Sequence, residues 1–434
     1  MAKKRNKSKK FLAQAAQIVP GGASSNVRTR NTIAVSQGIG AELIDLDGNR
    51  YIDYILGFGP ILLGHGHSFV TESVAQAIGG GTTFAFTTES EFRVCKQIVS
   101  ISPSVEMVRL CNSGTDASIT AYRIACMYTG ASIAVKIQGD YNGGFDILAH
   151  DVPGVDGSSF DKGPTPVGQG FFRGSDKMVI TVPFNDAGSL EKVFRNKKGK
   201  IAAVFMEPIL GNVAAIMPQP GYLEAVRSLC TEYGVVLIFD EVKTGFRVGL
   251  AGAQGFFKVH SDLTMYGKAI ANGLPLAAIG GKRELMELIA VGKVFHCGTY
   301  YGNLASTAAA EAVLSTLSSA DYDSLMQRGE KLAQGICKRL AAEGIPAQWN
   351  GVGTMFGITI GPERPTDYRG WWLKTGRQLW MNISTIMRYQ GILSDDYIGL
   401  FFLSFAHTDE HIEQTLNGCE EAIHLYKRGK QLLK

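Results

Sequence analysis

A chain of 434 residues with 45% hydrophobic and 19% charged residues is long enough for a large core and a second domain, which excludes global disorder. The formal net charge of +4 is smaller than the charge of the first ten residues alone, so the remaining chain is near neutral and does not indicate a nucleic-acid-binding surface. No run approaches the roughly 18 apolar residues of a membrane span. The seven scattered cysteines form no CxxC pair, which predicts a reduced, cytoplasmic protein.

The N-terminal region is predicted to contribute to a small domain. Residues 1–10 are interpreted as a solvated, disordered basic tail, because Gln14 and Gln17 interrupt the stretch that would form the apolar part of a signal peptide. Residues 11–65 are predicted to form a helix and a hairpin, since the segment AELIDLDGNRYIDYI alternates apolar and polar residues around a turn at Asp47 and Gly48.

Residues 66–315 show the alternation of a large α/β domain. Short β-branched runs alternate with longer helical stretches, a pattern that favours a mostly parallel, doubly wound sheet with helices on both faces. The strand-like runs are MVRLC, SIAVKI, KMVITV, IAAVFM, VVLIFD and LTMYG. A Gly/Pro-rich segment at about 153–175 is too long for a simple connection and is interpreted as a lid or a dimer-contact loop. Residues 316–434 are predicted to form a smaller α+β domain with which the N-terminal hairpin packs.

Three of the predicted strands end in polar groups, at the sheet edge where ligands of open α/β sheets bind. Ser113, Gly114 and Thr115 begin a helix and suit a phosphate, although such residues more often form a plain cap. Asp240 ends an apolar strand, where a protonated pyridine nitrogen would compensate its charge; loop N–H groups are the commoner partners of a lone aspartate. Lys268 follows the next run, and an amine in apolar surroundings suits Schiff-base chemistry, whereas a lone lysine is more often a surface residue. Together these groups indicate a pyridoxal 5′-phosphate (PLP) site.

Five motifs extend this interpretation to a family. NSGTDA, EPILGN, FDEVKTGFR, YGKAIANGLPLAAIGG and GTYYGN occur in this order, between PGGASSNVR at residue 20 and SFAHTDEHIEQTL near the C-terminus. With these motifs the chain resembles the class III PLP-dependent aminotransferases, and within them the glutamate-1-semialdehyde 2,1-aminomutase-like group. The resemblance implies an aspartate aminotransferase-like fold of type I, a small domain built from both termini, and a homodimer with shared active sites. It implies no metal.

The resemblance also implies residue roles. Lys268 corresponds to the lysine that forms the Schiff base and moves the proton, and Asp240 to the partner of the pyridine nitrogen. The other implied cofactor contacts are the phosphate cup, the ring-stacking tyrosine, two cavity residues and a residue that reaches the phosphate of the neighbouring subunit: Ser113, Gly114 and Thr115; Tyr141; Glu207 and Asn212; and Thr299.

Two further positions concern the substrate. Arg28 matches an arginine that receives a substrate carboxylate in some members, with a surface salt bridge as the alternative. Phe58 matches a position that is usually aromatic near the substrate, and it would serve equally as a core residue.

Departures from the aminomutase pattern decide the predicted reaction. Gly399 stands where aminomutases carry a glutamate that faces the active site, Asn142 replaces a histidine and Asp116 replaces a glutamate. The segment GPTPVGQGFF also departs from the aminomutase lid pattern. We therefore predict an aminotransferase that moves an amino group between a small-molecule donor and a carbonyl acceptor through pyridoxamine phosphate. The alternatives are glutamate-1-semialdehyde 2,1-aminomutase, a PLP racemase, epimerase or decarboxylase, and a non-catalytic PLP-binding protein.

Overall fold

The computed structural model describes residues 5–28, 32–152, 155–156 and 163–432. The helices are α1 (Asn6–Ala15), α2 (Ser68–Ile78), α3 (Glu89–Ile101), α4 (Gly114–Thr129), α5 (Ala187–Asn196), α6 (Tyr222–Tyr233), α7 (Gly252–Phe257), α8 (Arg283–Ala290), α9 (Leu304–Leu317), α10 (Tyr322–Ala342), α11 (Tyr368–Lys374), α12 (Arg377–Tyr389) and α13 (Asp409–Leu432). The strands are β1 (Val35–Ile39), β2 (Glu42–Asp45), β3 (Arg50–Asp53), β4 (Met107–Cys111), β5 (Ile133–Ile137), β6 (Val179–Val182), β7 (Ile201–Met206), β8 (Val236–Glu241), β9 (Leu263–Tyr266), β10 (Ala277–Gly281), β11 (Ala347–Val352), β12 (Met355–Ile360), β13 (Ile392–Leu393) and β14 (Leu400–Phe402).

A seven-stranded mixed sheet is formed by strands between residues 107 and 281. Its strand order is β4-β10-β9-β8-β7-β5-β6, and β10 runs antiparallel to both of its neighbours. The pairs between β5, β6, β7, β8 and β9 are parallel. All six predicted strands are present, which confirms the predicted mostly parallel sheet. Strand β10 is not among the predicted strands, because its residues AAIGG include only one β-branched side chain.

The buried side chains show that both faces of this sheet are covered. Val204 and Leu237 belong to one apolar cluster, whereas Phe205 and Ile238, their neighbours along β7 and β8, belong to another. Because successive residues of a strand point to opposite faces, each face packs against its own apolar layer. The arrangement is therefore doubly wound, as predicted.

The two smaller sheets draw on strands from both ends of the chain. Strands β2 and β3 form the predicted antiparallel hairpin, and Gly48 adopts φ +84° in its turn, a left-handed conformation that glycine adopts without strain. Strand β3 then pairs in parallel with β13, so the hairpin joins a sheet with a C-terminal strand. A second sheet has the order β11-β12-β14, and α13 follows β14 in the chain.

The segment predicted as a basic tail is only partly solvated. Residues 1–4 lie outside the described residues, but α1 begins at Asn6 and the Arg5 side chain is buried. Arg5 Nε donates to Tyr51 Oη at 3.2 Å, and the Asp47 carboxylate accepts the amide N–H groups of Lys7 (2.8 Å) and Ser8 (2.9 Å). The hairpin turn thus caps the first turn of α1, an interaction that local charge density did not indicate.

The buried side chain of Arg247 connects three segments that are distant in sequence. Arg247 is fully buried, and its guanidinium donates to the carbonyl oxygens of Gly59 (2.5 Å), Thr354 (3.1 Å) and Leu403 (2.8 Å). The latter two belong to the small domain, so this side chain holds the small domain and the loop at residues 57–60 against the large domain.

None of the helices in the described ranges has both the length and the apolar character that a membrane span requires. Part of the predicted lid segment, residues 153–154 and 157–162, lies outside the described residues.

Candidate active site

A cavity of about 340 Å³ lies at the carboxyl ends of β4, β8 and β9. This volume is within the range of about 300–1,000 Å³ that is typical of small-molecule sites. Eight of the predicted site residues line it: Ser113, Gly114, Thr115, Tyr141, Glu207, Asn212, Asp240 and Lys268. A larger cavity of about 640 Å³, lined by residues 362–375 of the small domain, contains none of the predicted residues.

The start of α4 forms one wall of the smaller cavity. Ser113 caps the helix: its hydroxyl accepts the N–H of Asp116 at 3.2 Å, and the Asp116 carboxylate accepts the N–H of Ser113 at 3.0 Å. Asp116, a departure from the family motif, therefore completes a capping box. Gly114 and Thr115 occupy the first helical positions, where N–H groups lack intrahelical acceptors and suit an anion.

Asp240 lies near the carboxyl end of β8, three strands away from β4 in the sheet. One oxygen accepts the side-chain N–H of Asn142 at 2.9 Å and the other accepts the amide of Val242 at 3.0 Å. Burial raises the pKa of Asp240 to about 7, and the charge of Glu207 adds to this rise. No lysine or arginine forms an ion pair with Asp240 in the described part of the chain, so the carboxylate is set to meet a positive ligand.

Lys268 begins a short 3₁₀ turn that follows β9 after one residue, Gly267. Its φ of +47° is a left-handed conformation that costs a residue with a side chain about 1–3 kcal/mol, and such strain concentrates at functional sites. Its Nζ donates to the carbonyl oxygen of Phe58 at 3.0 Å. Burial lowers the pKa of Lys268 well below its usual value, and the neighbouring ammonium of Lys243 lowers it further. The amine is therefore poised to lose its proton and act as a nucleophile or base.

Glu207 accepts three hydrogen bonds from residues in and beside the cavity. Its carboxylate accepts the amide N–H of Tyr141 (2.9 Å), the side-chain N–H of Asn212 (2.6 Å) and the amide N–H of Gly211 (2.9 Å). These bonds position Tyr141, whose side chain remains about half exposed along the cavity, where its ring is available for stacking.

Sequence reasoning assigned no role to two residues that the structure brings into this site. Asn142 was noted only as a departure, yet it contacts Asp240 directly. Lys243 lies inside the motif FDEVKTGFR, and its buried side chain lines the cavity. Each is only one to three residues from a predicted site residue, and that proximity is the signal that could have identified them.

Three predicted residues do not line the cavity. Arg28 is exposed in a 3₁₀ turn next to residues that are not described. Phe58 is half-buried, and it reaches the site through its backbone carbonyl. Thr299 is exposed, as a residue assigned to the neighbouring subunit's site would be in a single chain. The roles of these three residues stay predictions.

Gly399 cannot accept a side chain in the observed backbone. Its φ is +71°, and a Cβ atom there would lie 2.4 Å from the carbonyl oxygen of Ile358. The expected match between Gly399 and the glutamate of aminomutases stays a prediction.

The donors and acceptors of the cavity fit PLP. A protonated pyridine nitrogen would give the buried Asp240 its positive partner, and the buried side-chain oxygen of Asn142 beside it has no hydrogen-bond partner within the described residues. The start of α4 would hold the phosphate, and Lys268 would form the covalent link. No group of three or more metal-ligating side chains occurs among the residues described. The fold and this site together define a PLP-dependent enzyme.

Comparison with known proteins places the enzyme in a family. The family model for class III aminotransferases matches residues 24–423, and the chain belongs to this family. Glutamate-1-semialdehyde 2,1-aminomutase of Bacillus subtilis is 39% identical over 426 residues, 96% of this chain and 97% of that protein. Among solved structures, an omega-transaminase from Sphaerobacter thermophilus has a TM-score of 0.91 at 27% identity, with 96% of this chain and 97% of that chain covered. A transaminase with PLP bound has a TM-score of 0.89 at 27% identity, with 98% of each chain covered. The cofactor is PLP.

A pair of adjacent glycines tests the phosphate cup. Gly143 has φ +92°, and a Cβ atom there would lie 2.6 Å from Oγ1 of Thr115, whereas a Cβ atom at Gly144 meets nothing within 4 Å. We expect Gly143→Ala to lower the free energy of unfolding by about 1–3 kcal/mol and to weaken PLP binding about tenfold, because Thr115 must move. Gly144→Ala should change neither. Thermal unfolding and fluorescence titration of the apoenzyme with PLP measure both effects, and equal behaviour of the two variants would contradict the assignment of the cup.

Proposed function

We propose that this enzyme is an aminotransferase that moves an amino group from an amino acid or amine to a keto acid or aldehyde in two half-reactions. The observation that supports this proposal most is that the Lys268 amine and the Asp240 carboxylate line one cavity. In addition, Gly399, which the resemblance matches to the aminomutase glutamate, has no room for a side chain in the observed backbone. When bound, PLP supplies an electron-withdrawing ring that stabilises negative charge at the substrate carbon.

The residues of the chain have distinct tasks in this proposal. Lys268 would move a proton between the substrate carbon and the cofactor. This task suits an amine with a lowered pKa. Asp240 keeps the pyridine nitrogen protonated, and Asn142 holds the Asp240 carboxylate in place. The start of α4 anchors the phosphate, and the Tyr141 ring limits tilting of the cofactor.

We further propose that the enzyme is a cytoplasmic homodimer with shared active sites. The exposed side chains of Phe86 (85%), Phe295 (71%) and Tyr300 (61%) support a subunit contact. They lie on two loops, one of which contains Thr299. A hydrogen bond from Leu304 N, at the start of α9, to Thr82 O at 2.9 Å connects the two regions. An apolar contact at these loops would carry Thr299 toward the partner's phosphate.

A half-reaction spectrum tests the proposed transamination. Holoenzyme is mixed with a panel of amino acids and amines, and the visible absorption band of bound PLP is followed. We expect at least one donor class to bleach the band in a single turnover, and a keto acid to restore it. A band that no donor bleaches would refute the proposal.

The aminomutase is the second candidate, favoured by the 39% identity to the Bacillus subtilis protein. It predicts catalytic consumption of glutamate-1-semialdehyde with neither an added amino donor nor a keto acceptor. A racemase would instead remove the optical activity of one amino acid, and a decarboxylase would release carbon dioxide. These assays distinguish the alternatives on the same preparation.

A further inference from the structure

Lys243 is a second buried lysine in the active-site cavity. Its side chain is only 8% exposed and lines the cavity together with Lys268. Its Nζ lies 5.7 Å from the centroid of the Phe402 ring, against which Gly59 also packs. Gly59 follows Phe58, whose carbonyl binds the amine of Lys268. The ammonium of Lys243 is thus placed on the side of the cavity formed by this loop and the small domain.

The hydrogen bonds of Lys243 leave one donor for a ligand. Its Nζ donates to the carbonyl oxygen of Gly211 at 2.6 Å and to Oδ1 of Asn212 at 2.7 Å, and both acceptors are uncharged. An ammonium has three N–H donors, and the third has no acceptor within the described residues. A buried ammonium with an unused donor in a cavity is suited to an anionic group.

The carboxylate of Glu207, which has the largest electrostatic influence on Lys243, already accepts hydrogen bonds from other groups. Burial lowers the pKa of Lys243, and the charges of Glu207, Asp395 and Asp240 oppose this lowering. However, the oxygens of Glu207 accept three N–H groups, one of them from Asn212, which lies between the two charges. Within the described residues, Lys243 forms no ion pair, so Glu207 supports its charge without occupying its free donor.

The cations available to an incoming substrate are few. Lys243 and Lys268 are the cationic side chains among the residues that line the cavity in the described structure, and Lys268 is committed to the cofactor. Arg247 is also buried nearby, but its guanidinium binds three backbone carbonyls. Arg28 is exposed and does not line the cavity.

We propose that Lys243 binds the carboxylate of the substrate and thereby selects amino and keto acids over amines and aldehydes that lack a carboxylate. This inference rests on the proposed aminotransferase function, since it names the substrate class of the same site. It makes Lys243 a specificity-determining residue, distinct from the lysine that carries the chemistry.

Binding of unreactive ligands tests the inference without turnover. Holoenzyme is titrated with 3-phenylpropionate and with its uncharged amide, and with acetate and acetamide, by calorimetry and by the shift of the visible PLP band. We expect the wild-type protein to bind each acid at least tenfold more tightly than its amide. In Lys243→Met the acid should lose about 10- to 100-fold in affinity while the amide is unaffected, because a charge-assisted hydrogen bond is removed.

Two further variants separate charge from folding. Lys198→Met removes an exposed lysine outside the cavity and should behave as the wild type. Lys243→Gln retains a hydrogen-bond donor for Gly211 and Asn212 without the charge, and it should lose the acid preference even if Lys243→Met folds poorly.

Equal losses for acid and amide would identify Lys243 as a structural support and overturn the inference. A wild-type protein that binds acids no better than amides would also overturn it. Because these titrations need no amino transfer, a failure of the proposed reaction would show separately, in the half-reaction spectrum.

Discussion

Replacing Lys268 with alanine is expected to lower turnover by at least about 10²- to 10⁴-fold, the contribution of a general acid–base group, and to remove the covalent link to PLP. Both effects are expected because Lys268 lines the cavity just after β9 and the pKa of its amine is strongly lowered. Such an amine can act both as the base and as the group that links PLP. Treatment with sodium borohydride, which makes a Schiff base permanent, followed by peptide mass spectrometry measures the link directly.

The control for this variant is Lys198→Ala, an exposed lysine outside the cavity, which should retain both turnover and the modified Lys268 peptide. A small primary amine added to Lys268→Ala should restore part of the activity, since it supplies the missing base. If Lys268→Ala instead carried PLP on Lys243 with turnover near that of the wild type, the assignment of the two lysines would be reversed.

Asp240→Asn is expected to reduce kcat/KM by about 10²- to 10³-fold, comparable to breaking a buried charge pair. The amide cannot compensate a protonated pyridine nitrogen. The local hydrogen bonds can be retained, because the amide oxygen can still accept from Val242, and Asn142 can turn its unpartnered oxygen toward the new N–H group. The loss should therefore appear in chemistry and in the cofactor's absorption rather than in folding. A variant with unchanged kcat/KM would exclude Asp240 as the pyridine partner.

The same variant should stabilise the apoenzyme at alkaline pH. The pKa of Asp240 is raised from 3.8 to about 7 in the folded protein, so its contribution to stability is fully present below pH 4 and is lost as the pH rises to about 7. Asparagine avoids this loss, which is worth about 2–4 kcal/mol. Thermal unfolding of both apoproteins should therefore differ most above pH 7 and least near pH 4. Identical pH profiles would contradict a buried, ionising Asp240.

Much of the architecture could be predicted from local patterns. The six strands with β-branched runs and the hairpin at Gly48 carry signals within a few residues, and the structure contains all of them. Lys268 and Asp240 could be placed at one site because parallel strands bring their carboxyl ends to one edge of a sheet.

The remaining features depend on contacts between distant segments. No local signal shows that Phe58 would offer its backbone carbonyl to Lys268, 210 residues away. Strand β10 has small residues and is defined by its neighbours. The unsuitability of Gly399 for a side chain follows from the carbonyl of Ile358 on another strand, which only the folded chain brings within reach.

The hydrogen bonds of Arg247 determine which fragments of the chain can keep the contacts around Lys268. Two of its three carbonyl acceptors, at Thr354 and Leu403, are supplied by the last quarter of the chain. A fragment without these two residues would lose two of the three acceptors of this guanidinium. The third acceptor, Gly59, is adjacent to the carbonyl that holds Lys268. The loop that contacts Lys268 is therefore tied to the C-terminal region through Arg247, and we expect a fragment without that region to lose this support.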